Sequence, residues 1–587
     1  MVPTASGIEE YALTAGIILS FVGFLVSAYM ARRDIAEVFR RLGFGRRHLL
    51  YAAAVLVVFL FMEIYFVKPS QQLFFDDAIY QGMAQDLLLQ GQAWMCDYGT
   101  PMGCISGEIY HEPIGTSFDI AAGFLLFGMS LGTTFMVGIA VTAAAVVLTF
   151  LAALVLFRDS TAAFFSGLLM ALSPMVLSWA APTTSDTHLL PYSVLAILCL
   201  GIFVRRKSMW TFSMLLLSVT LATYMKVNAF PLTVIVLVMY LLLEERNLVA
   251  SARKAFVTLF ENLLNTKFLL VVLFFVIAIT PEFFYAFNET LNGNYGAVGG
   301  IQNTCTSPFS PGTVKGNFNL QNFEYNVCAN VLFWFNAYQS QPGYPVTQPV
   351  FFTLLAVVGA GYLFFSDRNL FAGIMLWFIT FFLMYTFFYA GSVLYGVDWR
   401  FQLALIAQVS MLGGYGCARV IGAFGSLADE LRHHAHRHAR QYGHVAAAAA
   451  LVILLCISYS EYTALPAISI APWNITQAYG ARFYENMVFN SSYVIPSNCL
   501  VFTYDPTLYN INGRPAAQIG DLFPTSTYAG NKASYSCMVL DYGYWCHTPN
   551  NLCTAVFKDY NLTQIKLETD SQNQTYGFYY INGPKPQ

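Results

Sequence analysis

Long apolar stretches recur along most of this chain, and they limit its possible folds more than any other feature. A helix needs about 20 apolar residues to cross the hydrocarbon core of a bilayer, and about twelve stretches approach that length. They lie at residues 11–30, 49–67, 134–157, 160–180, 189–204, 210–225, 227–243, 268–284, 348–365, 370–390, 401–422 and 446–465. Only 10% of the residues are charged, whereas soluble domains carry roughly 25%. The sequence therefore predicts an all-α polytopic membrane domain.

The net charge and the first apolar stretch bear on two further features, nucleic-acid binding and a secretory signal peptide. The formal net charge is −3, which gives no reason to expect a nucleic-acid partner. The first apolar stretch is long enough to span a membrane and lacks the preceding basic segment of a secretory signal peptide. We expect it to be retained as a helix, and we expect membrane lipids to be partners of the chain.

Basic residues predict which loops face the cytoplasm, because cytoplasmic loops are enriched in lysine and arginine. Basic clusters follow the first, fifth, seventh and eleventh apolar stretches: Arg32, Arg33, Arg40, Arg41, Arg46 and Arg47, then Arg205, Arg206 and Lys207, then Arg246, Arg253 and Lys254, then Arg432, Arg437 and Arg440. The loops 68–133 and 284–347 contain one lysine each and no arginine. These two loops, both termini and the C-terminal region are predicted to be extracytoplasmic.

The apolar segment 114–130 is predicted to lie at the outer surface of the membrane. If it crossed, every later loop would change sides and the arginines at 205–206 would be outside. Asp119 within it would also be costly to place in lipid. A second interfacial helix is predicted at 77–90, with an apolar face and a polar side. The apolar face holds Ile79, Tyr80, Met83, Ala84, Leu87 and Leu88, and Gln81, Gln85 and Asp86 lie off it.

The chain divides into three predicted regions. Residues 1–48 form an extra N-terminal transmembrane helix with a basic cytoplasmic linker. Residues 49–465 form the main transmembrane domain. Residues 466–587 are rich in Tyr, Asn, Ser, Thr and Gly, and they are long enough for a domain of their own. A helix at 476–489 and strands at 500–504, 565–569 and 576–581 predict a small C-terminal α/β domain.

Cysteines and glycosylation triplets share the polar regions. Eight of the eleven cysteines lie there: Cys96, Cys104, Cys305, Cys328, Cys499, Cys537, Cys546 and Cys553. Their even number in each region predicts disulfides in an oxidising compartment, with Cys96–Cys104 and Cys305–Cys328 as pairs. The pairing among the last four stays open. The Asn-x-Ser/Thr triplets begin at Asn288, Asn474, Asn490, Asn561 and Asn573.

Two adjacent acids, Asp76 and Asp77, open the predicted helix 77–90. Aspartate is a favoured N-cap and is stabilised by the helix dipole, so one acid suffices for capping. The second acid is then available for a catalytic or metal-binding role.

The acidic pair resembles a motif of the GT-C glycosyltransferases, in the family 39 group of protein O-mannosyltransferases and aminoarabinose transferases of lipid A. In that group an Asp-Glu or Asp-Asp pair in the first external loop precedes an interfacial helix. A second helix follows, which a His-Pro-Pro-Leu-Gly-like turn opens and a Phe-Gly ends. This chain has Asp76-Asp77-Ala78-Ile79-Tyr80, then His111-Glu112-Pro113-Ile114-Gly115, then Leu125-Leu126-Phe127-Gly128. Glu112 replaces the first proline.

Weaker similarities extend the resemblance over roughly residues 49–422. They are Ser173-Pro174, Tyr224-Met225-Lys226 and Asp398-Trp399-Arg400-Phe401. The resemblance implies a GT-C-like fold and transfer of a sugar, with inversion, from a polyprenyl phosphate to an acceptor hydroxyl on a protein, lipid or glycan. It also implies that Asp76 is the general base, with Asp77 orienting it or the acceptor.

Other residues are predicted to bind substrate. The leaving phosphate gathers negative charge and needs a preorganised cation. Lys226 and Arg400, both at outer helix ends, are the candidates, with interfacial snorkelling as the alternative. His111 is predicted to hold the loop or contact phosphate. Glu282, after Pro281 at another outer helix end, is a further candidate.

A divalent metal ion is a possible cofactor. Asp186 and His188 fall in an outer loop, and with Asp76 or Asp77 they would resemble the ligands of the related oligosaccharyltransferases. Solvated helix-end residues are the alternative interpretation. The histidines at 433–438 are interpreted as part of a basic cytoplasmic loop near anionic lipid. Asp541-Tyr542-Gly543 is similar to part of an oligosaccharyltransferase signature but lacks its two tryptophans.

Three alternatives to a polyprenyl-phosphate-dependent glycosyltransferase remain. One is an oligosaccharyltransferase-like enzyme of the same superfamily. Another is a transporter or flippase for a lipid-linked substrate, although transporters place ionisable residues near the bilayer midplane. Here Glu63 is the only acid clearly inside a predicted span. The third is a surface anchor whose C-terminal region is the functional part.

Overall fold

The computed structural model describes most of the chain. The described residues are 5–67, 74–91, 95–96, 107–108, 113–182, 184–244, 266–292, 318, 320–335, 348–388, 398–432, 483–484, 487–488, 491, 494–504, 506–523, 527–547 and 552–586. The predicted span 446–465, the histidines at 433–438, His111, Cys104 and Cys305 lie outside them. Of the helix predicted at 476–489, only 483–484 and 487–488 are described.

The membrane domain is a bundle of helices. They are α1 (Ala5–Met30), α2 (Arg32–Arg41), α3 (Arg46–Phe66), α4 (Phe74–Gln90), α5 (Ile114–Phe127), α6 (Leu131–Phe157), α7 (Ser160–Ala171), α8 (Pro174–Ser178), α9 (Ser185–Arg205), α10 (Met209–Met225), α11 (Leu232–Glu244), α12 (Thr266–Asn292), α13 (Leu320–Trp334), α14 (Val350–Ser366), α15 (Arg368–Phe387) and α16 (Leu403–Arg432). Two short strands, β1 (Met95–Cys96) and β2 (Gly107–Glu108), pair antiparallel in the first long loop.

Eight of these helices are long and apolar enough to cross a membrane. The segments are Tyr11–Met30, Arg46–Tyr65, Leu131–Phe157, Ser185–Arg205, Val227–Glu244, Thr266–Phe284, Arg368–Phe387 and Arg400–Ala423. The shorter apolar helices α7, α10 and α14 coincide with three more predicted spans. Large apolar side chains remain exposed on the outside of the bundle, such as Ile64 at 77% and Phe365 at 81%. An outer surface of this kind fits a protein that is surrounded by lipid.

One predicted span is broken in the structure. The apolar stretch 160–180 was expected to be a single helix, but α7 ends at Ala171 and α8 begins at Pro174. The Ser173 side chain accepts a hydrogen bond from Val176 N, and proline follows at the first helical position. Proline cannot donate the backbone hydrogen bond that would continue α7, and Ser-Pro starts a new helix well.

Helix α5 has the length expected of an interfacial helix. Its 14 residues extend about 21 Å, which is less than the hydrocarbon thickness of about 30 Å. Its first half is buried in the bundle, whereas Leu125, Leu126 and Phe127 at its C-terminal end are 69–73% exposed. Helix α5 therefore enters the bundle with its N-terminal half.

Two of the four basic clusters, at residues 32–47 and 205–207, lie within the described part of the chain and meet at one end of the bundle. Arg206 contacts Glu37 of α2, and Lys207 pairs with Glu244 at the end of α11. Helix α2 buries Val38 against the bundle and exposes its arginines. Helices α9, α10, α12 and α16 each have their other end at the opposite side, where the candidate site lies.

The C-terminal domain is built on a five-stranded mixed sheet. Its strands are β3 (Cys499–Thr503), β4 (Ala516–Gln518), β5 (Cys537–Tyr542), β6 (Tyr560–Thr569) and β7 (Thr575–Pro584), in the order β4-β3-β5-β7-β6. Strand β3 is parallel to β4 and β5, and β7 is antiparallel to β5 and β6. Three helices accompany the sheet: α17 (Thr507–Asn510), α18 (Thr527–Ser534) and α19 (Leu552–Asp559).

The predicted strands at 500–504, 565–569 and 576–581 correspond to β3, β6 and β7, while β4 and β5 were not predicted. All five residues of β3 are buried, because the sheet has a hydrophobic cluster on each face. Val501 belongs to one cluster and Leu500 to the other, as alternation along a strand requires. The domain is therefore an α/β domain with its own core.

Two disulfides pin the C-terminal domain. Cys499 and Cys537 stand opposite each other on β3 and β5 and are bonded, and Cys546 is bonded to Cys553. Cys328 on α13 is also disulfide-bonded; its predicted partner Cys305 is outside the described residues, so that pairing stays a prediction. Asn561 and Asn573, two of the predicted glycosylation sites, have exposed side chains.

A buried acid in this domain predicts a pH-dependent stability. Tyr484, Thr503 and Tyr509 all donate hydroxyl hydrogen bonds to Oδ2 of Asp541. Burial raises the pKa of Asp541 from 3.8 to about 6, and these three hydrogen bonds oppose the rise. The folded state therefore holds a proton between pH 4 and 6 that the unfolded state releases. Its stability should fall across this interval by about 3 kcal/mol as the pH rises.

Asp541→Asn should remove this pH dependence, because asparagine keeps an acceptor oxygen for the three hydroxyls and does not ionise. The measurement is hydrogen exchange of the β3 and β5 amides between pH 4 and 7, corrected for intrinsic exchange. Asp559→Asn, a substitution of a partly exposed carboxylate in α19, is the matched control. If the stability of Asp541→Asn depended on pH as that of the wild-type protein does, Asp541 would not be the titrating group.

Candidate active site

The acidic pair lies in the first turn of α4. Helix α4 begins at Phe74, so Asp76 and Asp77 are its third and fourth residues. The side chain of Asp77 is fully buried. The side chain of Asp76 is outside the described part of the structure, and its role as general base stays a prediction.

Helix α4 is more deeply buried than predicted. Its polar side was expected to face water at the membrane surface, but Gln81 and Asp86 are fully buried and Gln85 is 8% exposed. The prediction treated α4 as an isolated helix on a surface. In the structure it contacts α5, β1 and α17, and this tertiary packing covers the polar side chains as well as the apolar ones.

A buried ion cluster joins three helix ends at the side of the bundle opposite the basic end. Lys226 Nζ donates to Asp186 Oδ1 at 2.6 Å, and Arg400 Nε lies 3.7 Å from Asp186 Oδ2. The side chains of Lys226 and Arg400 are 11% and 13% exposed. Their burial against Asp186 rules out the snorkelling alternative. The two residues predicted to bind phosphate are thus brought together.

Each member of the cluster is placed by a helix terminus. Asp186 is in the first turn of α9, whose N-cap Thr184 accepts a hydrogen bond from Thr187 N. Lys226 follows the last residue of α10, and Arg400 lies in a 3₁₀ turn, Asp398–Gln402, that leads into α16. Because a helix end breaks the regular backbone, its side chains can point into a site between helices.

Aromatic rings form one wall of the cluster. Lys226 Nζ lies 4.3 Å from the ring centroid of Phe401, and Arg400 Cζ lies 5.0 Å from the same ring. Tyr385 at the end of α15 stacks on Phe401 with centroids 5.3 Å apart. Cations on an aromatic face are attracted to it when desolvated, so this wall holds both cations in place.

A second polar cluster attaches α5 to α9. His188 Nδ1 lies 2.8 Å from Asp119 Oδ2, and the Tyr192 hydroxyl donates to Asp119 Oδ1 at 2.9 Å. The other nitrogen of His188, Nε2, is buried and has no hydrogen-bond partner within the described parts of the chain. The sequence predicted only that Asp119 would be costly to place in lipid. In the structure, His188 and Tyr192 of α9 are the hydrogen-bond partners of its carboxylate.

The positions of Asp186 and His188 differ from the prediction. Both were expected in an outer loop or as solvated helix-end residues, yet they lie inside α9 and are 2% and 0% exposed. Helix α9 starts four residues earlier than predicted because Thr184 caps it. The polar Thr-Ser-Asp-Thr-His run concealed this start, since polarity alone indicates a loop.

No group of three or more His, Cys, Asp or Glu side chains is arranged to hold a metal ion within the described ranges. Asp186 contacts Lys226 and Arg400, whereas His188 contacts Asp119. The assignment of Asp186 and His188 as metal ligands stays a prediction, and the observed contacts support a different role for each.

Glu282 lies close to the same end of the bundle. It is fully buried in α12, and neither carboxylate oxygen has a hydrogen-bond partner among the described residues. The Tyr224 hydroxyl, two residues before Lys226 in the chain, donates to the Ala278 carbonyl one turn before Glu282. The contact of Glu282 with substrate stays a prediction.

Tyr385, Phe401 and Tyr192 were not identified as site residues from the sequence. Phe401 belongs to the Asp398-Trp399-Arg400-Phe401 motif, of which only Arg400 was assigned a role, whereas Tyr385 is one of 87 Phe and Tyr residues and had no local signal. A signal for Asp119 was present, because an acid in a short apolar helix needs a partner.

Part of the chain matches a known family. Residues 111–276 match the family described as dolichyl-phosphate-mannose-protein mannosyltransferase. No curated protein has a significantly similar sequence.

Two solved structures are similar to this chain. The oligosaccharyltransferase AglB from Archaeoglobus fulgidus, in complex with an inhibitory peptide and a dolichol-phosphate, is 12% identical with a TM-score of 0.50, over 94% of this chain and 77% of that one. ArnT from Cupriavidus metallidurans bound to undecaprenyl phosphate is 15% identical with a TM-score of 0.48, over 92% and 99%. The chain therefore has the fold of AglB, and its residues 111–276 are similar to the mannosyltransferase family.

Proposed function

We propose that the protein transfers a sugar, with inversion, from a polyprenyl-phosphate donor to an acceptor hydroxyl at the extracytoplasmic face of a membrane. The observation that carries the proposal is the cluster of Lys226, Arg400 and Asp186. Two cations held at one place by a carboxylate and an aromatic wall suit a phosphate group. The description of the matching family names a dolichyl phosphate, and the AglB structure holds a dolichol-phosphate.

The reaction needs a base on one side of the sugar and cations on the other. Asp76 takes the proton of the acceptor hydroxyl as its oxygen bonds to the anomeric carbon. The bond from that carbon to the phosphate oxygen breaks, and the polyprenyl phosphate leaves with the electron pair. Lys226 and Arg400 stabilise the growing negative charge on the phosphate. Asp77 orients the base or the acceptor, while His111 and Glu282 contact substrate.

Buried preorganised cations are effective here because charge interactions strengthen as water is excluded. Asp186 keeps the cations at one place before the donor binds, so little reorganisation is needed during transfer. The same position at the outer helix ends suits a lipid carrier whose phosphate lies at the membrane surface.

The test is a transfer assay on purified full-length protein with a panel of polyprenyl-phosphate sugars. Release of polyprenyl phosphate, with inversion at the anomeric carbon of the product, is the expected result. An arm with a chelator distinguishes the metal-requiring oligosaccharyltransferase-like alternative. A folded protein that releases no polyprenyl phosphate from any donor would refute the proposal.

The topology carries its own prediction. Ser536, an exposed residue before β5, and Ser106 should be labelled from outside intact cells after substitution to cysteine. Arg33→Cys, an exposed position on α2, should be labelled only after permeabilisation. The arginine distribution places these positions on opposite sides. Labelling of Arg33→Cys but not Ser536→Cys in intact cells would reverse the topology.

A further inference from the structure

The C-terminal domain touches the membrane domain at the helix that carries the acidic pair. Ile511, in the turn after α17, belongs to one buried cluster with Tyr80 and Ala84 of α4 and with residues of α5. Ile511 is 5% exposed, and Tyr80 is 1% exposed. The α5 members of this cluster are Ile120, Ala121 and Phe124.

The turn that presents Ile511 is held firmly by its own domain. Tyr509 donates to Asp541 on β5 at 2.9 Å. Asn510 Oδ1 accepts from Ala516 N at 3.0 Å, and Arg514 donates to Ser491 Oγ at 3.0 Å. These contacts attach both sides of the turn to the sheet. Ile511 is thus fixed on a rigid support.

The position of Tyr80 connects this contact to the site. Tyr80 follows Asp76 by four residues and Asp77 by three, which is one turn of α4. A cluster that fixes Tyr80 therefore fixes the rotation and height of the turn that carries both acids. A displacement of about 1 Å at a reacting group can reduce a rate by about 10²-fold.

We propose that the C-terminal domain positions the acidic turn of α4 through Ile511, and that Ile511 is a positioning residue for sugar transfer. The effect on rate rests on the proposed function, whereas the effect on α4 does not. The domain acts by packing on α4 and needs no contact with substrate.

The test compares Ile511→Ala and Ile511→Asp with Leu552→Asp, a substitution of a 40% exposed side chain on α19 of the same domain. Hydrogen exchange of the α4 amides should rise at least tenfold in Ile511→Asp and remain unchanged in Leu552→Asp. In Ile511→Asp, kcat for sugar transfer should fall about tenfold or more, with little change in the KM for the donor.

A double variant separates positioning from general destabilisation. If Ile511 acts through Tyr80, the losses in kcat from Ile511→Ala and Tyr80→Ala should not add, because residues of one buried cluster are energetically coupled. Additive losses, or unchanged α4 exchange in Ile511→Asp, would overturn the inference. If the wild-type protein transfers no sugar, the proposed function fails. The hydrogen exchange of the α4 amides then still shows whether Ile511 positions that helix.

Discussion

Replacing Asp76 by asparagine should lower the rate of sugar transfer by about 10²–10⁴-fold, which is the usual contribution of a general base. Asparagine keeps the size and much of the hydrogen bonding of aspartate but cannot accept the proton. Asp76 is the third residue of α4 and not its N-cap, and asparagine and aspartate have similar helix propensities, so α4 should still form. The measurement is kcat on purified protein with a donor that the wild-type protein consumes.

Asp77→Asn is the matched control for this experiment. Asp77 is the neighbouring acid and is fully buried in the same turn. If Asp77 only orients the base or the acceptor, Asp77→Asn should lower kcat less than Asp76→Asn does. Binding of the donor should persist in Asp76→Asn, because the phosphate is held by cations elsewhere. Near-normal transfer by folded Asp76→Asn protein would exclude Asp76 as the base and direct attention to Asp77 or Asp186.

Replacing Lys226 by methionine should lower kcat by about 10²–10³-fold, the loss expected when one preorganised group that stabilises developing charge is removed. Methionine retains a flexible apolar stem that packs on Phe401 but carries no charge. It also leaves buried Asp186 with a weaker set of partners, and breaking a buried ion pair costs about 3–5 kcal/mol. Both activity and thermal stability should therefore fall.

A second substitution separates these two effects. Lys226→Met combined with Asp186→Asn removes this ion pair but leaves Arg400 without Asp186, so stability should recover only in part while transfer stays low. Lys207→Met is the control, since Lys207 pairs with Glu244 at the opposite end of the bundle and is 37% exposed. Exposed pairs contribute about 0–1 kcal/mol, so this variant should transfer normally. Recovery of transfer in the double variant would mean that Lys226 serves only as a counter-ion.

The ion cluster also explains why the site could be predicted only in part. Lys226 and Arg400 were predicted individually, because each lies at an outer helix end and matches a family motif. Their meeting at Asp186 was not predicted, since Asp186 precedes Lys226 by 40 residues and reaches it only through the packing of helices. The polar pairing of His188 with Asp119 escaped prediction for the same reason, because these residues lie on different helices.

The sequence alone determined that the chain is a helical membrane protein, where most of its described apolar helices lie, and that the first long loop contains two helices, α4 and α5. These features follow from hydrophobic length and local periodicity, which each segment carries by itself. Charge placement also predicted that the described basic clusters at residues 32–47 and 205–207 share one end of the bundle. Its assignment of that end to the cytoplasm stays a prediction, because no membrane is present in the structure.

Only the tertiary structure decided which side chains meet. It paired Cys499 with Cys537 by placing β3 beside β5, and it buried the polar side of α4 between other elements. It also brought Ile511, from the far end of the chain, into one buried cluster with Tyr80 and Ala84. Contacts of this kind depend on how whole elements pack, because residues distant in sequence become neighbours only when the bundle and the C-terminal domain are assembled.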